Sequence, residues 1–191
     1  MRRNGRPNSK SGGIFMKRIL FAGVGTLAAL LAGCQPSTSE IAAVTDFDPA
    51  KYMGAWYEIA RLPHSFERGM DYVKAEYTQL ENGLIRVVNS GVRNGEGRRI
   101  AGKAKLKNPE EKPLRGELRV SFFGPFYSDY RIIELAPDHS YAVVTGSRKN
   151  YLWILSRKPS MPEARLKEIV DRLAGQGFDT VRLEYPRQSA E

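Results

Sequence analysis

From Trp56 onward, hydrophobic and polar residues alternate in short runs, each bounded by a turn signal. A period of two places every second side chain on the same face of an extended strand, so such runs are half-buried strands. On this pattern strands are expected over 54–61, 73–80, 84–92, 99–107, 117–123, 128–135, 141–147 and 151–156. The breaks between them carry Glu81-Asn82-Gly83, Arg93-Asn94-Gly95, Asn108-Pro109, Gly124-Pro125, Pro137-Asp138 and Lys149-Asn150. These residues tolerate positive φ or fix φ at tight corners. Eight strands joined by hairpin-length turns predict an antiparallel meander. Closing it into a barrel removes the free edges, and eight strands leave an interior for side chains or one small ligand. The expected fold class is all-β, an eight-stranded up-and-down barrel.

Beyond residue 156 the period changes. Leu166, Ile169, Val170 and Leu173 fall on one face at helical spacing. Ser160, Pro162 and Glu163 form a start signal with the spacing of a capping box. Gly175 and Gly177 mark the stop. One C-terminal helix packed on the barrel wall is expected, with 178–184 as a last strand.

The opening segment has no such pattern. Residues 1–15 are polar, Met16-Lys17-Arg18 begins a basic stretch, and 19–32 carries no charge before Leu31-Ala32-Gly33-Cys34. That apolar run is shorter than the roughly 20 residues a membrane-spanning helix needs, and it closes on small residues. It reads as a lipoprotein signal peptide cut before Cys34, with that thiol as the lipidation site and the lipid as membrane anchor. Translation from Met1 or from Met16 fits equally. Gln35, where a retention signal would place Asp, favours the periplasmic face of the outer membrane. The expected layout is 1–33 extension and signal, 34–46 lipidated cysteine and flexible tether, 47–186 barrel domain, and 187–191 disordered tail.

This segment also changes the meaning of the charge. The chain carries 30 Lys+Arg and 21 Asp+Glu, a net +9. Six of the basic residues and no acidic one precede Cys34, which leaves 24 against 21, or +3, on the rest. The basicity belongs to targeting, and no nucleic-acid partner is expected. Cys34 is the single cysteine, so the barrel has no disulfide and no catalytic thiol. Two histidines, His64 and His139, fall short of a zinc site, and phosphate-loop and dinucleotide fingerprints are missing. No metal and no cofactor are expected.

Three short motifs sit at matching places in the meander: Gly54-Ala55-Trp56 on the first strand, Ser128-Asp129-Tyr130 at the sixth, and Arg157 after the eighth. They resemble the conserved motifs of the lipocalin family, with Ser128 where Thr is usual. The longer stretches 52–61, 120–127 and 151–157 resemble the bacterial outer-membrane lipocalins in particular. The resemblance implies a calyx that binds or carries a fatty acid, a lysophospholipid or a similar amphiphile, in storage or transport of membrane lipids. It also implies that Trp56, Gly54 and Arg157 close the blind end, with Arg157 over the indole as a cation–π pair worth about 0.5–2 kcal/mol.

Alternation then selects interior candidates. With Trp56 inward, Glu58 and Ala60 follow; Tyr130 groups with Ile132 and Glu134, and Trp153 with Tyr151 and Leu155. The candidate ligand contacts are Glu58, Tyr77, Val88, Phe122, Tyr130, Tyr141 and Trp153, and a one-residue slip of register would exchange the faces. A carboxylate at 58 inside an apolar lumen requires a partner or a raised pKa. Neither histidine has a recognisable acid partner or nucleophile, so catalysis is not expected; a hydrolase would have to depend on His64 or Glu58. A filled barrel whose outer surface does the work stays open as the alternative, as does a homodimer.

Overall fold

The structure is a computed structural model and describes residues 37–188. The signal segment, Cys34 and Gln35 therefore lie outside the described residues, as do 189–191. A short helix α1 (Pro49–Tyr52) precedes β1 (Gly54–Arg61), β2 (Asp71–Gln79), β3 (Ile85–Arg93) and β4 (Glu96–Leu106). Then follow β5 (Glu117–Phe123), β6 (Phe126–Leu135), β7 (Tyr141–Thr145), β8 (Leu152–Ser156) and α2 (Glu163–Gly175). The eight strands pair in sequence order and β8 returns to β1, closing an antiparallel barrel. All eight expected barrel strands are present, β1 and β5 with the expected ends and the others with ends shifted by up to three residues, the usual latitude where strands fray into turns.

Turn chemistry fixes the β3–β4 corner. Asn94 and Gly95 both take positive φ, the conformation of a two-residue hairpin turn that matches strand twist. It sets β3 and β4 in register over nine pairs, from Ile85↔Ala104 to Arg93↔Glu96. Gly102 on β4 is needed for a different reason: a Cβ there would stand 2.5 Å from the Ser121 carbonyl oxygen and 2.7 Å from the Phe122 ring. Substituting it would force β5 away.

Two apolar clusters divide the buried residues. Inside the barrel lie Trp56, Tyr77, Ile85, Val87, Leu118 and Ile132 with their neighbours. Outside it, Ile169, Leu173 and half-buried Leu166 and Val170 of α2 pack on Ala60, Val143, Leu152 and Ile154. The helical apolar face is thus used as expected, and each fully buried Leu or Ile contributes roughly 1.5–3 kcal/mol.

Several expectations need correction. The helix begins at Glu163 with Pro162 as N-cap and no side-chain capping bond, so Ser160 does not form a capping box. The segment after α2 forms a single 3-10 turn (Thr180–Arg182), not a strand, and then one antiparallel bridge between Glu184 and Arg61. Residues 187 and 188, expected in a loose tail, are tied down. Arg187 pairs with Asp71 at 2.5 Å, and the Gln188 amide donates to the carbonyls of Glu58 and Val73. They fill the gap where β1 and β2 diverge after only four pairs. The expected tether is likewise packed from Ser37 onward. Thr38 is fully buried, its hydroxyl donating to Gly146 O, and Val44 exchanges backbone bonds with Ile132 and Gly116.

Candidate functional site: the barrel interior

An up-and-down barrel places alternate loops at opposite ends. The β2–β3, β4–β5 and β6–β7 turns share one end with α1; the β1–β2, β3–β4, β5–β6 and β7–β8 loops share the other. The first end is closed. Trp56 is completely buried, its indole N–H donates to Tyr52 O at 2.9 Å, and the Arg157 guanidinium lies 3.8 Å from the ring centroid. The same guanidinium donates to the carbonyls of Ala55 and Lys51, both at 2.8 Å. Gly54 beside it takes a φ of +93°, a backbone conformation that favours glycine.

Above that floor three phenols share their hydroxyls. Tyr130 sits between Tyr52 at 2.7 Å and Tyr77 at 2.9 Å. Burial raises all three, Tyr77 to about 12 and Tyr52 and Tyr130 well above the usual phenol, so the trio stays neutral. The wall around them is apolar: Ile85, Val87, Leu118, Ile132, Val144 and Leu155 are buried, and Val120 and Phe122 are partly buried against them.

The other end is different in kind. Glu58, Arg61, His64 and Glu67 are all buried there. Arg61 donates to Glu58 Oε1 at 2.6 Å and, on its outer side, to Glu184 at 3.1 Å. Glu67 accepts from the Trp153 indole at 3.0 Å, and its same oxygen lies 3.0 Å from His64 Nε2. Phe66 stacks on His64 at 3.9 Å, and Tyr151 stacks on Trp153. The guanidinium thus bridges Glu58 within the barrel and Glu184 outside it, while Glu67 is held by Trp153 and His64. Burial, and then the charge of Glu67, push Glu58 up to about 8 in spite of Arg61. Burial also acts to raise Glu67, but His64, Trp153 and Arg61 together outweigh it and hold that carboxyl below its usual range. The two environments therefore push the pair apart, Glu58 toward its protonated form and Glu67 toward its charged form. A cleft of about 240 Å³ lies just outside Arg61, between Met70, Asp71 and the C-terminal residues Glu184 to Pro186.

Of the seven candidates, Glu58, Tyr77, Phe122, Tyr130 and Trp153 face this interior. Val88 and Tyr141 do not. Val88 pairs with Glu76 and Ala101 on the outer face, because Val87 takes the inner position opposite Tyr77. Tyr141 belongs to the cluster under α2 and donates to Glu134 Oε1 at 2.6 Å. Ala60 and Glu134 also face outward: bulges between Glu58 and Ala60, and between Ile132 and Glu134, each insert a residue and reverse the alternation. The first bulge is what turns Arg61 toward Glu58. Arg61, Glu67 and Tyr52 were not among the sequence candidates. Glu67 sits in an irregular loop and Tyr52 on a four-residue helix, where no period exists to read. His139 lies at the closed end in the β6–β7 turn, far in the fold from His64.

Comparison with known proteins agrees with this geometry. A lipocalin-like domain matches residues 47–188. The chain is 43% identical over 164 residues to the outer membrane lipoprotein Blc of Vibrio cholerae serotype O1, covering 84% of this chain and 94% of the relative. It is 36% identical over 177 residues to the Escherichia coli K12 protein of the same name, covering 91% and 98%. Among solved structures, insecticyanin from the tobacco hornworm superposes with a TM-score of 0.64 at 24% identity, over 78% of this chain and 85% of that one. That likeness speaks for the barrel alone. The chain belongs to the lipocalin family, among its bacterial outer-membrane lipoproteins.

Proposed function

We propose that this lipoprotein, held in the membrane through Cys34, takes the acyl chain of a fatty acid or lysophospholipid into its barrel and serves storage or transport in membrane maintenance. One observation carries the reading: the interior runs from a neutral, apolar wall at the closed end to an ionisable cluster at the mouth, the polarity of an amphiphile. Each methylene transferred from water contributes about 0.8 kcal/mol, offset by ordering of the ligand. Trp153, Phe122, Val87 and Leu118 would line the chain, and Glu58 with Arg61 would meet the polar end. The same cluster weighs against a barrel that is merely filled. Buried carboxylates with a single cation destabilise a core that needs only to be solid, and an apolar substitute would do that better.

A native mass spectrum of the mature protein, with and without added lysophospholipid, tests the reading. One bound lysolipid is expected, lost in Phe122→Arg while circular dichroism keeps its β signature. A folded wild-type barrel that binds neither fatty acid nor lysolipid would replace this reading with the filled scaffold.

A further inference from the structure

We infer that the open end of the barrel docks face-down on the phospholipid bilayer that holds the anchor, an inference that rests on lipidation of Cys34 as proposed above. Chain length supplies the first constraint. The described chain starts at the mouth: Ser37 bridges to Arg148, and Thr38 N–H donates to Ser147 O, both in the β7–β8 loop. Three residue steps separate Cys34 from Ser37, a reach of about 11 Å when fully extended. The barrel is longer than that. β4 has eleven residues, which at about 3.3 Å each and a tilt of about 40° span roughly 28 Å along the axis. A lipid at Cys34 therefore cannot bring the closed end to the membrane, and it holds the β7–β8 rim close to it.

Exposed side chains decide how that rim meets the lipid. Phe126 and Phe123, at the tip of the β5–β6 turn, are 79% and 72% exposed, and Phe66 in the β1–β2 loop is 57% exposed. Phe66 rests one face on His64, and all three rings meet water, a placement that suits an interface where one side is apolar. Exposed Arg68, Arg98, Arg99 and Arg148 stand on the same loops and strand ends; the exposed carboxylate among them, Glu96, is paired with Arg98 at 2.6 Å. The closed end lacks such rings. Its turns mix Glu81, Glu110, Glu111 and Asp138 with Lys107, Lys112 and Arg115, and among the described residues its one exposed large hydrophobic is Leu80, at 37%. Aromatic rings mixed with arginine at one end, and balanced charge without exposed rings at the other, point the mouth toward a bilayer with anionic headgroups. In this pose the mouth opens at headgroup level, so an amphiphile passes between leaflet and barrel without crossing bulk water.

The test uses the full lipidated protein in vesicles of phosphatidylethanolamine and phosphatidylglycerol. Cys34 is the single cysteine, so once it is acylated, Phe126→Cys or Glu81→Cys offers one thiol for an environment-sensitive fluorophore. The label at 126 is expected to shift to the blue and to lose most of its emission to nitroxide-bearing lipids, while the label at 81 does neither. Phe123→Cys repeats the reading at the neighbouring position should Phe126→Cys perturb the turn. Quenching at 81, or labels at 123 and 126 that remain in water, would overturn the orientation. Self-quenching between copies without lipid quenching would assign the face to a second copy and overturn it equally. The intact mass of the same sample separates the two layers. A chain without acyl groups defeats the anchor and this inference with it, whereas an acylated chain with a wet mouth defeats the orientation alone.

Discussion

The two ends of this barrel are built on opposite principles. At the closed end every large group is satisfied: the Trp56 indole has a carbonyl, Arg157 has two carbonyls and a ring, and three tyrosines share their hydroxyls. At the mouth, Glu58 is buried against Arg61 and Glu67 against Trp153 and His64, His64 Nδ1 is buried without a hydrogen-bond partner, and aromatic rings stand in water. The closed end stabilises the fold, and the mouth uses some of that stability to hold polar groups where a headgroup would arrive.

The sharpest way to break the comparison is to remove the closed end's anchor. Trp56→Ala empties the largest fully buried side chain and is expected to cost about 3–5 kcal/mol, as a fall in the urea midpoint and in Tm. The mouth should respond to pH instead. Glu58 is raised from 4.5 to about 8, so the folded state holds a proton that the unfolded chain gives up. Its contribution is full below the unfolded value and is lost as pH rises through the folded one. Glu67 is lowered, so its contribution is present above its unfolded value and is lost on acidification. Stability should therefore decline between pH 6 and 8 by about 1–2 kcal/mol, and Glu58→Gln should flatten that slope in urea titrations at the two pH values. A smaller effect is expected from Arg157→Lys, which loses the planar stack on Trp56 for about 0.5–2 kcal/mol. The double change Phe123→Ser with Phe126→Ser should leave the midpoint within about 0.5 kcal/mol, since rings exposed to water contribute little to folding.

Sequence made the closed end legible and the mouth much less so. Alternation and turn residues mark all eight strands, and Trp56, Gly54 and Arg157 occupy their expected places because their roles are backbone-close and local. Regular strands also delivered Tyr77, Phe122, Tyr130 and Trp153 to the interior. The errors have physical causes. Ala60 and Glu134 follow bulges, and a bulge leaves no period in the sequence. Val87 and Val88 are adjacent and both aliphatic, so pattern alone could not choose between them. Tyr141 lies on a strand buried on both faces, interior on one and α2 on the other. Arg61 and Glu67 meet Glu58 only through a bulge and a loop; the one available signal was that Glu58, facing an apolar lumen, required a partner.

The measurement that bears most directly on the central claim is a methyl NMR titration of the mature protein with a lysophospholipid. Shifts and intermolecular contacts are predicted at Val87, Leu118 and Leu155 inside the barrel, with a further shift at the Trp153 indole. Ile169 and Leu173 under α2 should be unchanged. Perturbation confined to α2 or the outer wall, with the interior methyls silent under saturating lipid, would contradict the account.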